Sequence, residues 1–329
     1  MKEHAHLRNV AARIAGVSAV ATLIATVGCG GSSSNSSQSA NFGTQETVAN
    51  GTATTYVTTN NASVPTAIGI TVSKHALDNS PTIVNYPNAI GYDLPMPAGQ
   101  SSSIPFRSVT LFTTAGHDPQ VVFGQPGPYT HPHLHIAFSL YTTQQRKAIG
   151  ARLIGLTPAV FEDPVQFPTY FDSNFDAPVD PYYVPINQAI HTHYIDYSSI
   201  PPGQELPTLG TVYFNPTVPE FTPPPNTGPF TTEVDYAYFA GSLSSFNISA
   251  SLSQLVTVDG AGIVTSTLPI NLVQPLDLPD GVQVSGYYPT NYSIKYDANR
   301  QAFNFELGGF VFRQATDPAG NPLPQARAK

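Results

Sequence analysis

Tyr129-Thr130-His131-Pro132-His133-Leu134-His135-Ile136-Ala137-Phe138-Ser139-Leu140 alternates in character along its length. In a β-strand successive side chains point to opposite faces. His131, His133, His135, Ala137 and Ser139 then share one side, and Pro132, Leu134, Ile136, Phe138 and Leu140 share the other. One face reads as core and the other as imidazole. Unpaired imidazoles are costly to bury, so the second face is expected to meet water, a polar cavity or a metal ion.

Working outward, strand signals recur on both sides. Residues 67–73 put Ile68, Ile70 and Val72 on one face, and 108–113, 121–123, 190–196, 209–214 and 234–239 also read as strands. Residues 255–258 and 263–267 form an expected hairpin around Asp259-Gly260, and 292–296 with 302–307 another around Asp297-Ala298-Asn299-Arg300. The one expected helix follows the histidine strand. Thr142 or Thr143 can cap it, Ile149, Leu153 and Leu156 recur on one face, and Gly155 with Pro158 close it. Arg146, Lys147 and Arg152 are expected on its solvated side. The fold class expected is mainly β, an antiparallel β-barrel or sandwich with one short helix after the His-rich strand.

The first residues read as an export signal, with Lys2, Arg8 and Arg13 before an uncharged stretch over 14–27. It ends Thr26-Val27-Gly28-Cys29, which resembles the bacterial lipobox. The resemblance implies cleavage before Cys29 and a lipid on that residue; the alternative is an ordinary signal peptide cut near Gly30. Residues 29–62, rich in Ser, Thr and Gly, are expected to be a lipidated tether, 63–313 a single β domain, and 314–329 a polar tail. Beyond the signal no apolar run is long enough for a transmembrane helix, so membrane attachment is expected through the lipid alone, at the bacterial cell envelope.

Composition removes several function classes. The chain carries 13 Lys+Arg against 21 Asp+Glu, a net charge of −8, and so lacks the basic surface that phosphate backbones require. No nucleic-acid partner is expected. Cys29 is the single cysteine, which leaves no disulfide, thiol nucleophile or Cys-based metal site in the domain. There is no Gly-x-Ser-x-Gly elbow, no phosphate-binding glycine loop and no His-Glu-x-x-His.

Histidine remains. Of nine histidines, six fall within 117–193. Strand neighbours at i and i+2 lie about 7 Å apart at Cα, close enough for two rings to converge on one ion, whereas i and i+4 lie about 13 Å apart. His133 and His135 are therefore the expected ligand pair, and His131, placed before a proline, a supporting residue. His191-Thr192-His193 offers a second pair, and His117 sits in a turn before the first. The expected ligand set is His133, His135, His193 and His117, with His131, His191 and Asp196 around it. The cofactor would be a divalent transition metal, with Zn, Fe, Mn, Ni and Cu all open. The alternative is a set of hydrogen-bonded structural histidines. Candidate carboxylates are Asp118, Glu162, Asp163, Asp196, and the pair Glu233 and Asp235 on one strand face.

Gly116-His117-Asp118-Pro119, Pro132-His133-Leu134-His135, Phe138, the Gln145-Arg146-Lys147-Ala148-Ile149 helix start, His193-Tyr194-Ile195-Asp196 and Tyr288-Pro289-Thr290 occur in that order. The series resembles an uncharacterised bacterial β-barrel family, domain of unknown function fifty-six hundred and two (TTHB two-ten-like), over residues 85–313. His117, His133 and His193 match its motifs, while His135 stands where that family has Asp and Ala137 where it has a second His. The resemblance implies a fold and a histidine cluster but no reaction.

The expected function is that of a cell-envelope lipoprotein with a His-lined cavity that binds a divalent metal or a small-molecule ligand. The alternatives are a non-catalytic structural protein that forms homo-oligomers, and a metal-dependent cupin-like isomerase or oxygenase.

Overall fold

A computed structural model describes residues 38–77, 90–114, 121–122, 125–126, 132–147, 195–196, 209, 211–214, 231–239, 242–258, 264–266, 272–276, 278–279 and 281–316, all within one compact unit, Ser36–Lys329. Its first strands are β1 (Ser39–Phe42), β2 (Glu46–Val48), β3 (Gly51–Thr59) and β4 (Pro65–Ser73), followed by the short helix α1 (Lys74–Leu77). Next come β5 (Ile90–Pro95), β6 (Ser108–Thr114), β7 (Val121–Val122), β8 (Gln125–Pro126), β9 (His133–Ser139) and helix α2 (Thr143–Lys147). Then follow β10 (Ile195–Asp196), β11 (Thr211–Phe214), β12 (Thr232–Phe239), β13 (Ser242–Ser251) and helix α3 (Leu252–Leu255). The chain continues with β14 (Val256–Val258), β15 (Val264–Ser266), β16 (Leu272–Pro275), β17 (Gly286–Tyr288), β18 (Asn291–Asp297), β19 (Ala302–Gly308) and β20 (Val311–Arg313).

Two seven-stranded sheets dominate. The first runs β1-β3-β4-β19-β18-β16, with β2 also on β3, and the second β10-β11-β12-β13-β9-β6-β5. Every pairing described is antiparallel, and among the described residues neither sheet closes into a barrel. The protein is the sandwich form of the expected class.

Strand alternation explains the layers. In the first sheet Ile68, Ile70 and Val72 of β4 stand opposite Leu307, Phe305 and Phe303 of β19. In the second, Ile136 of β9 lies between Leu111 of β6 and Ile248 of β13, and Phe138 between Val109 and Phe246. All of these residues are buried in one apolar cluster that draws on both sheets. Two polar contacts cross the same interface: the Thr232 and Tyr292 hydroxyls lie 3.0 Å apart, and Thr55 Oγ1 donates to the Pro95 carbonyl at 2.7 Å.

The outer face of the first sheet is polar. Tyr56 lies across Gly69, where an added Cβ would fall 2.5 Å from the tyrosine ring, and its hydroxyl donates to Glu306 Oε1 at 2.7 Å. Burial alone would raise the Glu306 pKa, but donors from Lys295, Tyr56 and Ser293 together bring it below the ordinary carboxylate value. Tyr56 is pushed the other way, chiefly by burial and then by Glu306.

The final hairpin forms as expected, as β18 and β19, with Asp297 Oδ1 accepting from the Asn299 and Arg300 amides in the turn. β14 and β15 also pair, although the Asp259-Gly260 turn lies outside the described residues. Two expectations need correction. Part of the stretch 29–62, expected to be tether, forms β1, β2 and β3, and Ala53 and Val57 of β3 enter the core. Its threonines are strand formers, and alternate ones face outward while the apolar residues between them face in. Arg146, expected on a solvated helix face, is 2 % exposed. The rest of the expected helix, from residue 148, lies outside the described residues, as do the expected signal over 1–28 with Cys29 and the tail from 317.

Candidate functional site

All seven residues of β9 are buried, and β6 and β13 flank it in the middle of the second sheet. Its inward residues join the apolar cluster, so its histidines occupy the opposite face. His133 is 0 % exposed and His135 is 7 % exposed. Their ring centroids are 4.6 Å apart with planes inclined at 66°. The register sets His135 between Phe112 of β6 and Ser249 of β13. Its ring stacks on Phe112 at 4.5 Å, and the Ser249 hydroxyl lies 2.8 Å from its Nδ1, with the tautomer deciding which atom donates.

The polar face continues outward along rows set by the register. One row runs Phe112, His135, Ser249, Glu233, and the next Thr110, Ala137, Asn247, Asp235. Ser245 donates to Asn247 Oδ1 at 2.9 Å. Glu233 and Asp235 are 7 % and 5 % exposed, and among the described residues Glu233 Oε1 and Asp235 Oδ1 have no hydrogen-bond partner. Leaving a buried polar atom unsatisfied costs about 1–3 kcal/mol. Burial raises the pKa of both carboxyls, and Asp235 raises that of Glu233 further. Once Asp235 is ionised, its charge makes Glu233 hold its own proton longer.

At the other end of the face, Arg146 Nη1 pairs with Asp93 Oδ1 of β5 at 2.8 Å, and Thr110 Oγ1 donates to the same oxygen at 2.9 Å. A capping box places this arginine. Thr142 Oγ1 accepts from the Gln145 amide at 3.2 Å, and Gln145 Oε1 accepts from the Thr142 amide at 3.0 Å. The helix start was visible in the sequence; the partner that draws its arginine inward was not.

Of the expected ligands, the structure brings His133 and His135 together. His117, His131, His191 and His193 lie outside the described residues, as do Asp118, Glu162 and Asp163. Asp196 ends β10 at the edge of the same sheet, four strand spacings or about 19 Å from β9. Among the described residues no three His, Cys, Asp or Glu side chains are grouped to hold a metal ion. The described residues thus supply two imidazole donors, and a complete centre would need others. Ser249 and Asn247 lie outside the strands expected from the sequence, although Phe246-Asn247-Ile248-Ser249-Ala250-Ser251 alternates as β9 does and is the signal that would have placed them.

Among the described residues no helix is long and apolar enough to cross a membrane. A scan against protein-family models gave no match, and searches of curated proteins and of solved structures gave none either.

Proposed function

We propose that this chain is a lipid-anchored protein of the bacterial cell envelope that binds a small polar ligand or a divalent transition metal at His133 and His135. One observation carries the reading: two imidazoles in ring contact, both buried, on a sheet face that beside Phe112 and Ala137 gathers hydroxyl, amide and carboxyl groups. Each buried polar group must be satisfied to avoid a penalty, so a face that gathers them needs partners from the protein, water or a ligand. The anchor rests on Cys29 and the lipobox-like residues before it. His117 and His193 are the further ligands expected from the sequence, and imidazole donors suit Zn, Cu, Fe or Ni.

A second reading keeps the histidines as structural members of the polar face in a non-catalytic, oligomer-forming protein. The Ser249–His135 contact favours it, because it gives Nδ1 a partner without any ligand. Elemental mass spectrometry of the untagged protein, beside a His133→Ala/His135→Ala variant, separates the two. Near-stoichiometric transition metal that disappears in the variant supports the metal reading. A wild type that stays metal-free after incubation with Zn, Mn, Fe, Ni and Cu removes it.

A further inference from the structure

We propose that Glu233, Asp235 and Asn247 form a separate, all-oxygen site for a hard divalent cation of the calcium class. The inference does not rest on the reading of the histidines. Glu233 and Asp235 leave β12 on one face, and Asn247 and Ser249 stand directly opposite them on β13. Directly opposed residues of an antiparallel pair have Cβ atoms about 4.5–5.5 Å apart, so two carboxyls, one amide oxygen and one hydroxyl converge on a single patch. Oxygen donors of this kind select hard cations, while imidazole nitrogen selects softer ones.

The second observation is the state of the acids. Both side chains are more than nine-tenths buried, and among the described residues Glu233 Oε1 and Asp235 Oδ1 have no hydrogen-bond partner. Asp93, at the other end of the same face, is by contrast held by Arg146 and Thr110. Among the described residues no Lys or Arg forms an ion pair with either member of the β12 pair. A doubly charged cation would neutralise both carboxylates and occupy the lone pairs left open, displacing whatever protons they hold into solvent.

Equilibrium dialysis and thermal melting of the full chain with calcium chloride test this. Calcium should bind at about one ion per chain and, at a hundredfold excess over Kd, raise the melting temperature by roughly 5–10 °C. The Glu233→Gln/Asp235→Asn variant, with isosteric neutral groups, should melt no lower than wild type without calcium and should lose the calcium response. The His133→Ala/His135→Ala variant should keep that response. Absence of calcium or magnesium binding to wild type at millimolar concentration overturns the proposal, as does an undiminished response in the neutral variant. Should the double variant not fold, Asp235→Asn alone decides: calcium affinity reduced by about tenfold or more supports the site, and unchanged affinity overturns it.

Discussion

Ser249 stands directly between His135 and Glu233, paired in register with the first across β9 and β13 and with the second across β12 and β13. Its hydroxyl lies 2.8 Å from His135 Nδ1. Ser249→Ala removes that partner without opening much space and should cost about 1–3 kcal/mol, read as a lower denaturant midpoint with unchanged slope. A cost near zero would mean that the hydroxyl does not hold the ring.

The β12 acids give stability an unusual pH dependence. Burial pushes Asp235 up to about 8 and raises Glu233 as well. In the unfolded chain both ionise near pH 4, so between there and about 8 the folded state binds more protons. Stability held below that window is therefore lost as pH rises through it. With divalent cations chelated, the melting temperature should fall by more than about 5 °C from pH 5 to pH 8, and Glu233→Gln/Asp235→Asn should flatten the decline. Glu306 acts with the opposite sign. Its pKa lies below the ordinary value, so its contribution is present at neutral pH and is lost as pH falls through the folded value.

Arg146 is buried against Asp93. Replacing it with methionine keeps much of the packing and strands the carboxylate, a change expected to cost about 3 kcal/mol by chemical denaturation. A solvated arginine would cost less than about 0.5 kcal/mol, so the measurement discriminates cleanly between the buried and the exposed placement.

Gly69 leaves no room for a side chain, since an added Cβ would meet Tyr56 Cζ at 2.5 Å and the Phe305 carbonyl oxygen at 2.8 Å. Gly69→Ala should destabilise by about 1–3 kcal/mol. Adding Tyr56→Phe should not restore it, because the ring carbon and the backbone oxygen both remain. Full restoration by that second change would show the hydroxyl to be the only obstacle.

How much of this could be read from the residues depended on whether polarity alternated against strongly apolar neighbours. β9 and the β18–β19 hairpin announce themselves because Leu134, Ile136, Phe138, Phe303, Phe305 and Leu307 contrast sharply with what lies between them. β13 carries the same period in serines and one asparagine, which compositionally resemble a loop. β3 is rich in Thr and follows a Ser-rich stretch, so it passes for tether until Thr55 is seen donating to Pro95 from inside the sandwich. Arg146 fails for another reason: its partner lies 53 positions earlier, in a strand that helical periodicity says nothing about.

The division of the second sheet into an apolar and a mainly polar face also governs how the chain can misassemble. A slip of one residue in β9 would turn His133 and His135 into the apolar cluster and drive Leu134, Ile136 and Phe138 out among carboxyls and hydroxyls. Both halves of that exchange are unfavourable, so misaligned pairings of β9 with β6 or β13 are penalised twice. The buried imidazoles and acids thereby act as an indexing device during assembly, and substitutions that make this face greasier should broaden the range of alignments the sheet tolerates.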